Sequence, residues 1–309
     1  MLASLVLFGL CPRADAGEPI HVGVLTHDSL KSTGRTLQGI KKGLREKYPD
    51  VVYHRFLVED DSGGHADIAD SLDRLQPRLV LTVGSAATAF ARDHLPSVPI
   101  VFSAVMYPAL SGFVGSMAEP GANITGASLN IPVDIQFKYF KEILPDLRRI
   151  GVLYTSNTAA LIPQARLVAK QAGLSLVPLE VDSYKDIPGA LDSLAKEADG
   201  MWAVADPNLW DPRSTKYIIM NATRKGLPFM GFSRHVVASG ALFALDFDYK
   251  GIGMQAGAIA ARVIDGEPPA RIAVTMANRI WFHYNERTAQ HIGVTIPEHL
   301  VAVAKEVYR

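Results

Sequence analysis

The side chains that could grip a small molecule in this chain cluster where apolar runs end. In the first half these are Thr26-His27, Gly84-Ser85-Ala86-Ala87, and Ser103 followed by Tyr107. In the second half they are Thr155-Ser156-Asn157, Asp206-Pro207-Asn208 and Phe232-Ser233-Arg234. Where apolar runs form a parallel sheet, ligands sit beyond the carboxyl ends of its strands, at loops leading into helix N-termini. Gly84–Ala87 has the composition for such a turn: a glycine, then small residues opening a helix. Free backbone N–H groups and the positive helix end would face a carboxylate or other anion there. Ser85 could bond the ligand or simply cap the helix. Asp206 stands at the matching point of the second half. It could take an ammonium group through a charge-assisted hydrogen bond, or cap the helix that follows. Tyr107, Trp210 and Phe232 could supply flat apolar walls, and ordinary packing would explain each equally well. His27 fits either a ligand contact or a solvated loop.

The patterns that mark catalysis are missing. The sequence has no G-x-S-x-G elbow, no G-x-G-x-x-G after the first apolar run and no phosphate loop. Its nine histidines are scattered without metal-ligand spacing. Ser85, His27 and Asp206 could be imagined as a triad, but no pattern ties them together. These residues therefore point to binding rather than turnover, without cofactor or metal. An α/β enzyme is the lesser reading. Lys+Arg and Asp+Glu both total 31, which argues against nucleic acid or an anionic membrane as the main partner.

Positioning such residues requires a particular scaffold. With 309 residues, 48% apolar and 20% charged, the chain can bury one large core or two medium ones. Apolar runs at His21–Thr26, Val51–Glu59, Leu79–Gly84 and Pro99–Val105 predict strands. Amphipathic stretches at Ser32–Tyr48, Ala66–Leu75 and Ser85–His94 predict the helices between them. The pattern then repeats. Strands are predicted at Ile150–Thr155, Leu174–Asp182, Gly200–Asp206 and Pro228–Ser233, and helices at Ala159–Gly173, Ile187–Ala198 and Arg213–Gly226. Gly23-Val24-Leu25 matches Gly151-Val152-Leu153, and Leu72-Asp73 matches Leu191-Asp192. The class is α/β, with parallel sheets covered on both faces. A further strand at Ala241–Asp248, a helix at Gly251–Ile264, an extended stretch at Arg271–Tyr284 and two short helices complete the chain. At the start, apolar Leu2–Leu10 precedes Ala14-Asp15-Ala16, an A-x-A site. Residues 1–16 therefore read as a cleavable secretory signal without its basic region. Bulky Leu10 before Cys11 argues against a lipid anchor.

The order and spacing of several segments resemble one family. They are Gly121-Ala122-Asn123-Ile124-Thr125-Gly126, Leu144-Pro145 with Arg149–Tyr154, Gly240-Ala241-Leu242, Asp248-Tyr249 with Gly253, and Gly293–Pro297. The chain resembles the tryptophan/tyrosine-type substrate-binding proteins of bacterial ABC transporters, which have the type I periplasmic-binding-protein fold. The resemblance implies two Rossmann-like lobes joined by three crossings, near Asn123–Asn130, Phe243–Asp248 and Arg271–Tyr284. Lobe 1 would take 17–124 with about 249–275, and lobe 2 would take 125–248 with about 276–309. It further implies a periplasmic monomer that closes on an amino acid or related small organic acid. Asp248 at a crossing would join the ligand-facing residues. A membrane permease and ATPase would be the partners, or a receptor or kinase if the module senses rather than delivers. Three loops depart from the family pattern. Thr155-Ser156-Asn157-Thr158 stands for Asn-Pro-Ser-Glu, Asp206-Pro207-Asn208 for Asp-Asn-Thr, and Met106-Tyr107-Pro108 for Thr-Asp-Pro. The scaffold is kept while the ligand-facing loops differ.

Overall fold

The computed structural model describes residues 19–59, 64–206 and 208–309. The expected secretory signal, residues 1–16, lies outside the described residues, as does Pro207. The first sheet contains β1 (His21–Thr26), β2 (Val52–Leu57), β3 (Leu79–Val83), β4 (Ile100–Val105) and β5 (Ile124–Ser128). All its pairings are parallel, in the order β2-β1-β3-β4-β5. Helices α1 (Lys31–Arg45), α2 (His65–Leu75) and α3 (Ser85–His94) make the crossovers. β1 and β3 are buried almost throughout, which is why they read as unbroken apolar runs.

The second sheet is built on the same plan. β6 (Arg149–Tyr154), β7 (Ser175–Glu180), β8 (Gly200–Ala203) and β9 (Phe229–Gly231) lie in the order β7-β6-β8-β9, the order of β2-β1-β3-β4. Helices α5 (Ile162–Gln171), α6 (Ile187–Glu197) and α7 (Pro212–Arg224) connect them. The repeat extends to packing. A Cβ on Gly23 would strike Leu72 of α2, and one on Gly151 would strike Leu194 of α6. In both units a strand glycine lets the second helix seat closely on the sheet.

β10 (Phe243–Phe247), β11 (Ile280–Asn285) and β12 (Ala304–Tyr308) finish the second sheet. Parallel pairing was expected throughout, but β11 runs antiparallel to β10. The cause is the chain path. After β10 the chain leaves for the first lobe as α9 (Tyr249–Ile264), and it returns to the sheet from the side on which β10 ended. Strand β5 takes up most of the segment expected as the first crossing, and three elements elsewhere were not anticipated either. Helix α4 (Val133–Ile143) follows the first crossing, α8 (Arg234–Ala238) follows β9, and β12 follows α10 (Glu286–His291) and α11 (Glu298–Val303).

Three strands of chain pass between the sheets: one after β5, one between β10 and α9, and one before β11. β5 pairs with β4, so the first lobe reaches Ser128. On the return, Thr275 bridges Ala127, keeping the third crossing beside the first. The first lobe is sealed by α9 against α1. Leu37, Ile40 and Leu44 share a core with Ile252, Ala256, Ile259 and Ala260. The two backbones touch there: a Cβ on Gly39 would overlap the Lys250 carbonyl, and one on Gly253 the Thr36 carbonyl. Among the described residues, no helix is long and apolar enough to cross a membrane.

Candidate functional site

The carboxyl ends of β1, β3 and β4 and those of β6, β8 and β9 carry the residues expected to meet a ligand. On the first lobe, Gly84 takes a left-handed φ of 87°, and space is open where a Cβ would stand. Its amide donates to the Ser103 carbonyl at 2.9 Å, tying the turn to β4. Its carbonyl accepts from the Thr88 hydroxyl at 2.8 Å. Ser85 is the first residue of α3 rather than its cap, and no side chain caps that helix. Ser85 and Ala86 are exposed and Ala87 is buried. The opening turn of α3 thus carries uncapped backbone amides at an exposed point beyond the end of β3. Thr26 and Ser103 are instead sealed within the first lobe. His27 is half-buried, with Nδ1 3.0 Å from the Val58 carbonyl.

On the second lobe Asp206 is almost fully buried, at 1% exposure. Its Oδ2 accepts the Thr155 amide at 3.1 Å, the Thr155 hydroxyl at 2.8 Å and the Thr158 hydroxyl at 2.6 Å. Its Oδ1 accepts the Asn208 amide at 3.0 Å. The carboxylate therefore locks the loop after β6 to the loop after β8. Capping of the following helix was the alternative to an ammonium contact, and that helix, α7, is capped instead by Asp211, whose side chain accepts from the Arg213 and Ser214 amides in a capping box. The locked loops present Ser156, Asn157 and Asn208, all exposed. Ser156 and Asn208 line a recess of about 130 Å³ with Asp182 and Tyr184.

Two other candidates meet where the lobes approach beside the crossings. Tyr107 and Phe232 line a cavity of about 30 Å³ with Asn130, Gln136, Ala205 and Leu245. The Tyr107 amide donates to Asn130 Oδ1 at 2.8 Å. Burial pushes the Tyr107 phenol up to about 12, and the Ala205 backbone N–H facing it works in the opposite sense. Phe232 packs against Trp210 with ring centroids 5.5 Å apart, and the Trp210 indole N–H donates to the Val204 carbonyl at 2.6 Å. Asp248 stands apart from both groups. It caps α9 by accepting the Gly251 amide at 3.1 Å and lies 3.6 Å from Arg279. It lines a separate inter-lobe recess of about 330 Å³ with Arg35, Lys250, Arg234 and His283. Asp248 and the Tyr107 group thus line different recesses.

Three residues of this region escaped the sequence reading. Thr158 was named only within the loop that departs from the family pattern and was given no role of its own. Asn130 was placed in a crossing but given no role. Gln136 accepts the Trp202 indole N–H at 2.7 Å and sits on the unpredicted α4. The spacing of Phe137, Phe140 and Ile143 would have revealed that helix. Among the described residues, no group of His, Cys, Asp or Glu is arranged to hold a metal ion.

The structure thus has two sheets joined by three crossings. The family model described as ABC transporter substrate binding protein matches residues 20–308. The chain belongs to that family. As a member it is an extracytoplasmic component of an ABC transporter that binds a small solute. A tyrosine-binding protein of Clostridioides difficile is 23% identical over 289 residues, covering 91% of this chain and 83% of the relative. Two solved structures share the fold. The ABC domain from Streptococcus pneumonia in complex with L-Trp is 24% identical, covers 94% of this chain and 99% of its own, and has a TM-score of 0.69. The ligand-free, open structure of a substrate binding protein with adhesive properties from Clostridium difficile is 19% identical, covers 94% and 100%, and has a TM-score of 0.78.

Proposed function

We propose that this substrate-binding protein takes an amino acid or a related small organic acid between its lobes and delivers it to a membrane permease and ATPase. The observation that carries the reading is the uncapped start of α3 at Gly84–Ala87, at the carboxyl end of β3, with the polar loops locked by Asp206 at the carboxyl ends of β6 and β8. Backbone amides at a helix start suit a carboxylate. Ser156, Asn157 and Asn208 can pair with the remaining polar groups of the ligand. The tyrosine and L-Trp named for two relatives agree with a ligand of this class. The protein acts by binding and closure about the crossings, without turnover. Residues 1–16 direct its export and are removed, and it works as a monomer. Lobe 1 takes the chain to about the first crossing with α9, and lobe 2 takes the remainder.

Native mass spectrometry of protein purified from cells should reveal a bound small acid. Thermal denaturation against the amino acids and small carboxylic acids should identify it. A ligand at a hundred times its Kd stabilises by about 2.7 kcal/mol, which is readily measured. No stabilisation by any amino or organic acid would overturn the reading.

A further inference from the structure

We propose that Asp182, on the loop after β7, receives the ammonium group of the ligand, so that this protein prefers an amino acid to the same acid without its amine. The inference rests on the reading that an amino acid binds at the loops locked by Asp206. Asp206 itself cannot serve. It is 1% exposed and already accepts four hydrogen bonds. An ionised carboxylate has about four acceptor sites, so neither space nor lone pairs are left for a ligand. Two of the exposed residues on the loops it holds, Ser156 and Asn208, line the recess of about 130 Å³. Every residue lining that recess belongs to the second lobe, between Thr155 and Ser214, so its shape does not depend on how far the lobes stand apart.

The recess is acidic. Its walls include two carboxylates, Asp182 and Asp211, and no lysine, arginine or histidine. Asp211 is partly engaged, because its Oδ1 accepts the Arg213 and Ser214 amides at 2.6 and 2.9 Å. Asp182 is exposed, and among the described residues it accepts no hydrogen bond and forms no ion pair. Both its oxygens are open to a donor. Arg213 does not line the recess, and its guanidinium lies over the Tyr184 ring, 4.4 Å from the centroid. The backbone on either side of Asp182 is pinned. The Val181 amide donates to the Tyr154 carbonyl at 2.9 Å, and the Ser183 amide and hydroxyl donate to Asp186 at 2.9 and 2.8 Å. A carboxylate carried on a fixed turn loses little freedom when it takes a partner. A ligand held by Ser156 and Asn208 therefore shares its recess with one uncommitted acid, and an ammonium group is the donor that forms charge-assisted hydrogen bonds with it.

The test screens the standard amino acids by thermal shift on the full-length protein and takes the one that stabilises it most. That amino acid, and the carboxylic acid that lacks only its amine, are then titrated calorimetrically into the wild type, Asp182→Asn and Asp182→Ala. A deaminated acid too weak to titrate directly is measured by competition with the amino acid. The wild type should prefer the amino acid to the deaminated acid. Both variants should weaken the amino acid on the order of tenfold or more and leave the deaminated acid unchanged. Their urea midpoints should match the wild type's, because the Asp182 side chain supports no contact in the free protein. Equal affinity of the wild type and Asp182→Asn for the amino acid would overturn the assignment alone. So would an equal loss for both ligands, which would place the contact away from the amine. No stabilisation by any amino acid would remove the amino-acid reading and the assignment with it.

Discussion

Replacing Asp206 by alanine removes one carboxylate and strands four donors at a place solvent barely reaches. The Thr155 and Thr158 hydroxyls can turn toward other acceptors, but the Thr155 and Asn208 amides, at 3.1 and 3.0 Å, cannot. A buried donor left without a partner costs about 1–3 kcal/mol; the Thr155 amide bears that cost, while the Asn208 amide belongs to an exposed residue that water can reach, so the loss is about 1–3 kcal/mol. In urea that is a fall in midpoint of about 0.5–1 M. Asp206→Asn keeps one carbonyl oxygen and should lose about half as much. Ligand affinity should fall in parallel with stability across the two variants, because the carboxylate acts through the loops that carry Ser156 and Asn208. Equilibrium urea unfolding followed by far-UV circular dichroism, paired with calorimetric titration of each variant, measures both quantities. An unchanged midpoint with a large loss of affinity would refute the positioning argument. It would make Asp206 a direct contact for the ligand amine.

Other expectations concern the frame. Gly39→Ala and Gly253→Ala each force the α1 and α9 backbones apart. Each should destabilise by about 1–3 kcal/mol or more despite alanine's better helix propensity, read as a lower urea midpoint. His283 is buried with neither ring nitrogen hydrogen-bonded, and burial holds its imidazole below the ordinary value of 6.5. The nearby Asp246 and Glu306 pull the other way, while Arg234 and Lys305 reinforce the depression. The unfolded chain therefore takes up a proton that the folded one resists. Stability should be level above pH 6.5 and should decline as pH falls below it. His283→Phe should flatten that decline in unfolding curves recorded between pH 7.5 and 5. A wild-type curve as flat as the variant's would show that this histidine contributes nothing to acid sensitivity.

Most of the strands and their order could be read from the sequence because parallel strands bury both faces and write continuous apolar runs. Leu79–Val83 is such a case, and the helix at Ser85–His94 begins and ends where its composition changes. The repeated unit was legible for the same reason, since Gly23 and Gly151 answer the same packing demand. What escaped was decided by contacts distant in the chain. β11 looks like any other strand, and its direction follows from the route taken through α9. β12 has an exposed, mixed pattern that carries no strand signal of its own. Asp206 was legible as an important carboxylate, but Thr155 and Thr158, which supply three of its four donors, lie about fifty residues earlier, so its role as a lock was not. Tyr107 read as a possible wall. That it crosses to the other lobe depends on left-handed backbone that nothing in Met106-Tyr107-Pro108 announces.

The seam between α1 and α9 also bears on how the chain comes into being. The apolar face of α1, with Leu37, Ile40 and Leu44, is complete soon after synthesis starts, yet its cover begins at residue 249. Domains generally fold in the order they are made, and here the amino-terminal one must wait. Until α9 appears, β1 to β5 lack one wall of their core and cannot settle into their final state. A nascent chain cut short before residue 249 should therefore be a chaperone substrate rather than a folded half. A protein bound for the far side of a membrane gains from that delay, because a chain with an unfinished first lobe remains threadable until nearly all of it has been translated.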